Sequence, residues 1–207
     1  MKRVLAAAAF AASIALSFSP ALASEWKIDP AHSGAQFQVI HLGITKVDGV
    51  LGPITGTIHM DDKDVTKSTV EVSIDVTQIS TQNAQRDGHL KSPDFFDVAK
   101  FPTATFKSTK VEKAGKGKLK VTGDLTMHGI TKPVTLAVDG PSAQVKDMMG
   151  GTRVALNATT KLNRKEWDLN WNKVMTGGEL LVSDDVNVML PVEATLEEPN
   201  KKSADAK

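Results

Sequence analysis

Over most of this chain, apolar side chains fall on every second residue, the period of a strand with one dry and one wet face. Ala35, Phe37 and Val39 alternate with Gln36 and Gln38, and Val70, Val72, Ile74 and Val76 alternate with Glu71, Ser73 and Asp75. The same rhythm runs through Leu119, Val121 and on past Gly123 to Leu125, and through Val134, Leu136 and Val138. It returns in Val154, Leu156 and Ala158, then in Val186, Val188, Leu190 and Val192. Turn chemistry separates these runs at Asp48-Gly49, Asp61 to Asp64, Gly115 to Gly117, Asp139-Gly140, Gly150-Gly151 and Gly177-Gly178. Strands of this number and spacing predict an all-β, antiparallel sandwich or closed barrel. Helical signal is scarce. One short helix is expected near residues 87–99, where Ser92 or Asp94 can cap a turn leading into Phe95 and Phe96.

Both ends depart from the alternation. Lys2 and Arg3 precede an almost wholly apolar run from Val4 to Phe18, and Ala21-Leu22-Ala23 supplies small residues at a cleavage position. Those are the three parts of a secretory signal peptide, and the run is short for a membrane span of about 20 residues. Cleavage after Ala23 and localisation in the periplasm are expected. At the other end, residues 197–207 are polar and read as a disordered tail. One domain over residues 24–196 is expected between them.

Loss of residues 1–23 removes Lys2 and Arg3, leaving 23 of the 25 basic side chains against 24 acidic ones. That balance gives no reason to expect nucleic acid as a partner, or strong long-range attraction to anionic headgroups. No second apolar stretch reaches spanning length, so stable membrane insertion is not expected. The chain has no cysteine. Disulfides, thiolate metal sites, a cysteine nucleophile and a lipid-anchored cysteine at position 24 are thereby excluded, and the domain must rest on its core.

Four segments carry a resemblance. The first is Trp26-Lys27-Ile28-Asp29-Pro30-Ala31-His32-Ser33, followed by Phe37 and His41-Leu42-Gly43. The second runs from Thr81 through Arg86-Asp87-Gly88-His89 and Asp94-Phe95-Phe96-Asp97 to Thr105-Phe106-Lys107-Ser108. The third is Gly123-Asp124-Leu125-Thr126-Met127-His128-Gly129-Ile130-Thr131-Lys132-Pro133-Val134, and the fourth runs from Asn163-Arg164-Lys165 to Ser183-Asp184-Asp185-Val186. In order and spacing they resemble the YceI-like family of exported lipid-binding proteins, over about residues 24–196. The resemblance implies a single eight-stranded, antiparallel, lipocalin-like barrel around an elongated apolar cavity. It also implies a long-chain ligand such as a polyisoprenoid, an isoprenoid quinone or a fatty amide. The chain departs from the family at Leu51, where an aromatic is frequent, and at Trp167-Asp168, where Phe-Gly is frequent. Both changes are expected to reshape the cavity.

The candidate ligand-binding residues come from the dry faces and the aromatics: Phe37, Val39, Ile58, Val72, Ile74, Val76, Phe95, Phe96, Phe106, Leu125, Leu136, Leu156, Trp167, Trp171 and Val188. Alternation alone does not separate plain core from cavity wall, because a barrel of about eight strands is just wide enough to hold one ligand. Arg86 and His89 are the polar head-group candidates, since a guanidinium offers a fork to oxygen acceptors. The reading favoured for this cluster is structural: local pairing that fixes the short helix against the barrel. His32, His41, His59, His89 and His128 lack metal-ligand spacing and are expected to hydrogen-bond and orient turns, so no metal is expected. Nucleophile-elbow, P-loop and dinucleotide motifs are missing.

The expectation is a carrier of a long-chain amphiphilic lipid that performs no catalysis and needs no cofactor beyond the bound isoprenoid or acyl lipid. Transient contact with a membrane quinone enzyme and a homodimer are compatible with it. Two alternatives stay open: an enzyme acting on a quinone or lipid, which needs a converging acid–base or metal constellation, and a stress-linked structural module without a ligand.

Overall fold

The computed structural model describes residues 23–197, so the expected signal peptide up to Leu22 and the expected polar tail from residue 198 lie outside the described residues. The strands are β1 (Ala23–Ile28), β2 (Gly34–His41), β3 (Thr45–Asp61), β4 (Thr69–Asp75), β5 (Thr103–Gly115), β6 (Lys118–Met127), β7 (Ile130–Asp139), β8 (Val145–Lys146), β9 (Thr152–Asn163) and β10 (Asp185–Leu196). All pairings are antiparallel, and β2, β3, β4, β5, β6, β7, β9 and β10 follow one another around a ring closed by β9 against β10. The expected eight-stranded barrel is therefore present. The two-residue β8 hangs on the start of β9.

The first two strands share one place in the ring. Near one pole β1 lies between β10 and β3, with Trp26 opposite both Leu196 and Ile58. Further up, β2 takes the same slot, with Phe37 opposite both Val188 and Gly49. The turn Asp29–Ser33 is the step between them. Trp26 is wholly buried with Val154 and Ala194, against Ile58, Met60 and Leu196, and this cluster closes that pole. Val154 belongs to this plug, while Leu156 and Ala158 on the same strand continue into the main core.

Two local expectations are corrected. Asp48-Gly49 is not a turn but lies inside β3, because Gly49 serves a neighbour: a Cβ there would sit 2.4 Å from Phe37 Cζ. The chain reverses instead at Leu42-Gly43, where φ is 53° and 73°, the paired left-handed geometry of a type I′ hairpin. The helix, α1, spans Ala84–Lys91 rather than 87–99. Asn83 caps it, its side chain accepting from Arg86 N at 3.0 Å. Pro93 stops it, since the residue before a proline is pushed out of the helical region and Ser92 is extended at ψ 170°. Residues 92–99 are turns, in which Asp94 bonds His89.

Candidate functional site

A cavity of about 650 Å³ runs along the barrel axis. Phe37, Val39, Ile58, Val72, Ile74, Phe95, Phe96, Phe106, Leu125, Leu136, Leu156, Trp171 and Val188 all border it, as do Arg86 and His89. Two wall candidates do not. Val76 lies beyond the end of β4, because the Asp75 side chain accepts from Thr77 N and turns the chain into a 3-10 turn. It is buried in the surrounding core. Trp167 sits in a 3-10 turn (Arg164–Trp167), its Nε1 donating to Leu125 O at 3.3 Å and its carbonyl accepting from His128 Nδ1 at 3.0 Å. It wedges the end of β9 against the β6–β7 hairpin instead of entering the cavity. The other family departure, Leu51, does border the cavity.

Asp168, which stands where the family often has glycine, has φ 59° and ψ 22°. A left-handed backbone costs an L-residue about 1–2 kcal/mol, and aspartate tolerates it better than most. Asp168→Gly should leave the melting temperature within about 2 °C of the parent, while Asp168→Val should lower it by about 3–6 °C. Equal losses in the two variants would mean that the contact from Asn170 to the Asp168 carboxylate, and not the backbone, decides this position.

Polar groups gather at the pole opposite the Trp26 plug. There Asn83, Gln85, Arg86 and His89, with His41 and Arg164, border the cavity, while the plugged pole contributes Ser68 and Thr69. Arg86 donates from Nε to Thr81 Oγ1 at 2.7 Å and from Nη2 to Thr81 O at 2.9 Å. Asp87 accepts from Thr81 N at 2.8 Å. Both charged residues therefore clamp the buried Thr81, the scaffolding role open to this cluster. Burial opposes ionisation of Asp87, yet the hydrogen bonds from Thr81 outweigh it and hold the carboxyl below its usual range. Nη1 of Arg86 makes no hydrogen bond among the described residues. His89 donates from Nε2 to Asp94 Oδ2, 2.8 Å away, and its ring stands edge-on to Phe95 and Trp171 at 5.0 and 4.7 Å.

Arg164 entered the sequence reading only as part of the fourth motif, without a role, yet it organises this pole. Its side chain is 5% exposed. Nε donates to Ser183 O at 3.1 Å, Nη2 to Asp184 Oδ1 at 3.2 Å, and Nη1 to Leu169 O. One guanidinium thus ties both ends of the segment 169–184 to the 3-10 turn that follows β9. Desolvation lowers its pKa, against the opposing pull of Asp184. Nothing in the periodicity marks it, because an arginine after a strand is usually solvated.

At the plugged pole, on the outer surface, Asp29, His32 and Glu193 bring donor atoms within 4.8 Å of one another. Arg153 stands among them, its Nη1 2.7 Å from Asp29 Oδ2 and 2.5 Å from Glu193 Oε1, while its Nε donates to Asp147 Oδ2 at 2.8 Å. The guanidinium supplies the positive charge that these acids balance. The hydrogen bond from His32, then that from Arg153, pushes Asp29 down to about 2, and the same Asp29 contact raises His32. The arrangement pins the step between β1 and β2 to β9 and β10.

Family comparison agrees with this architecture. A YceI-like domain matches residues 26–194. The chain belongs to the YceI-like family. A UPF0312 protein of Vibrio parahaemolyticus is 40% identical over 171 residues, 82% of this chain and 89% of that protein. BcnA of Burkholderia cenocepacia has a similar structure, with a TM-score of 0.69 at 20% identity over 81% of this chain and 99% of that one. A polyisoprenoid-binding domain from Saccharophagus degradans has a TM-score of 0.60 at 15% identity, over 83% and 98% of the two chains. At those identities the two solved structures speak for the fold alone.

Proposed function

We propose that this YceI-like protein is a periplasmic carrier that holds the tail of one long isoprenoid or acyl lipid in the barrel and performs no chemistry on it. The observation that carries this reading is the cavity: about 650 Å³, mostly apolar along its walls, with its charged and most of its polar groups gathered at one pole. That volume lies within the roughly 300–1,000 Å³ of small-molecule sites, and the division of polarity matches an amphiphile. Each methylene taken from water contributes about 0.8 kcal/mol. A bilayer offers the same gain, so the barrel does not out-compete a membrane by burial; it lets the tail cross water. Arg86, whose Nη1 has no partner among the described residues, and His89 stand where an oxygen-rich head such as a pyrophosphate or quinone carbonyl would lie. The description of the Saccharophagus degradans domain as polyisoprenoid-binding supports the same ligand class. The reading without chemistry is supported by Arg164, whose guanidinium is taken up by two carbonyls and a carboxylate.

Native mass spectrometry of protein released from the periplasm tests the reading. The expected spectrum shows a chain beginning at Ser24 with one lipid that dissociates on activation. A protein that is empty in every preparation and takes up no added polyprenyl lipid would sink the carrier, and a mass retaining residues 1–23 would sink the periplasmic assignment.

A further inference from the structure

Two hairpin tips project from the polar pole, and they are joined to each other. The β2–β3 tip meets a second hairpin formed by residues 173–181: Leu42 N donates to Leu181 O at 3.0 Å, and His41 bridges Val182. The second hairpin is closed by Met175 N to Glu179 O at 2.8 Å and by a bridge between Val174 and Leu180. His41, Leu181 and Val182, at the base of both, border the cavity. The tips therefore stand around the end at which the cavity carries its polar groups.

Those tips are apolar. Ile44 is 83% exposed, Val174 70% and Met175 40%. Cations accompany them. Lys161 and Lys165, lower on the wall, are paired with Asp185 and Asp184, whereas the exposed Lys46 and Lys173 make no ion pair among the described residues. Glu179 is the acid on the same tip, so the three leave one net positive charge. Hairpin backbones have their hydrogen-bonding groups paired internally, so such a tip enters a headgroup layer without stranding them. Apolar side chains flanked by lysines are the chemistry of a surface that lies in an interface, apolar tips below and ammonium groups at the phosphates.

We infer that the joined tips, through Ile44, Val174 and Met175, seat the polar pole of the barrel on a lipid bilayer that carries anionic headgroups. A tail then passes between bilayer and cavity without entering bulk water. The surface charge as a whole gives no long-range pull, so the contact is local and short-lived. The passage of lipid rests on the carrier reading; the docking itself does not.

Vesicles of phosphatidylethanolamine and phosphatidylglycerol provide the probe. Wild-type protein should co-sediment with them. Ile44→Ser with Val174→Ser should weaken that association about ten-fold or more while leaving the melting temperature and the co-purified lipid unchanged. Lys46→Gln with Lys173→Gln should weaken it roughly ten-fold on these vesicles and hardly at all on phosphatidylcholine alone. Met148→Ser with Met149→Ser is the control: these side chains are 105% and 98% exposed but sit at the plugged pole, and their loss should change nothing. The inference is overturned if wild-type protein does not associate, if the tip variant associates as well as wild type, or if the control loses as much. A barrel that docks through its tips yet never holds lipid would uphold the docking and remove the carrier.

Discussion

Val72→Asp should empty the barrel. Val72 lies opposite Gly56 on one side and Phe106 on the other, and its side chain borders the cavity. A carboxylate there must stay ionised without a partner in apolar surroundings or take up a proton, at a cost of several kcal/mol in either form. A stability loss of about 2–4 kcal/mol is expected, together with loss of retained lipid. Ser73, one residue on, lies opposite Thr55 and Thr105 and points the other way. Ser73→Lys should change stability by less than about 1 kcal/mol and keep the lipid. Glu71→Lys, also on the outer face, replaces an exposed pair with Lys107 at 2.6 Å by like charges, an effect of about 1 kcal/mol or less. Thermal unfolding and mass analysis of extracted lipid, run on all three, decide the matter. Retention of stability and lipid by Val72→Asp, with loss of both in Ser73→Lys, would invert the faces of β4.

Arg164→Met should loosen the whole polar pole. The substitution keeps much of the side-chain volume but leaves two carbonyls, Leu169 O and Ser183 O, and the Asp184 carboxylate without their donor. An unmet buried polar group costs about 1–3 kcal/mol, and Asp184 keeps Lys165 at 2.7 Å. A net loss of about 3 kcal/mol, or roughly 6–12 °C in melting temperature, is expected. Hydrogen exchange should rise over residues 169–184 before it rises in β5 and β6. Arg164→Lys should recover less than half of the loss, since one ammonium does not span the three acceptors. A melting temperature within 2 °C of the parent would show that the segment is held by something other than this guanidinium.

The antiparallel β class and its dry faces were legible because a strand with one buried face writes its orientation into every second residue, while the choice of a barrel over a sandwich came from the family resemblance. The runs in β2, β4, β6, β7, β9 and β10 all turn their apolar members inward, as alternation requires. Strand β3 shows what alternation hides. Its inward residues are Val47 and Leu51 in one phase and Ile54, Ile58 and Met60 in the other. The phase flips because Gln36 pairs with Val50 and Ala35 with Gly52, leaving Leu51 as the extra residue of a bulge. No periodic search follows a strand through such a flip, so Ile58 was found among the candidates while Ile54 and Leu51 were not. Asp48-Gly49 misled for a related reason: glycine is used both for turns and for room, and only the position of the Phe37 ring tells which.

By itself, then, the amino-acid sequence determined the fold class, the family and most of the dry wall, since these depend on period, turn chemistry and the spacing of whole motifs. Only the tertiary structure decided that Val76 and Trp167 stand outside the cavity, that Asn83 and Pro93 bound the helix, and that Arg164 and Arg153 each gather partners from distant segments. Sequence pattern reports which way a side chain faces within its own element. Which groups meet across elements depends on where strands end, bulge and close, and one hydrogen bond, such as that from Thr77 N to Asp75, suffices to turn the next residue away from the wall.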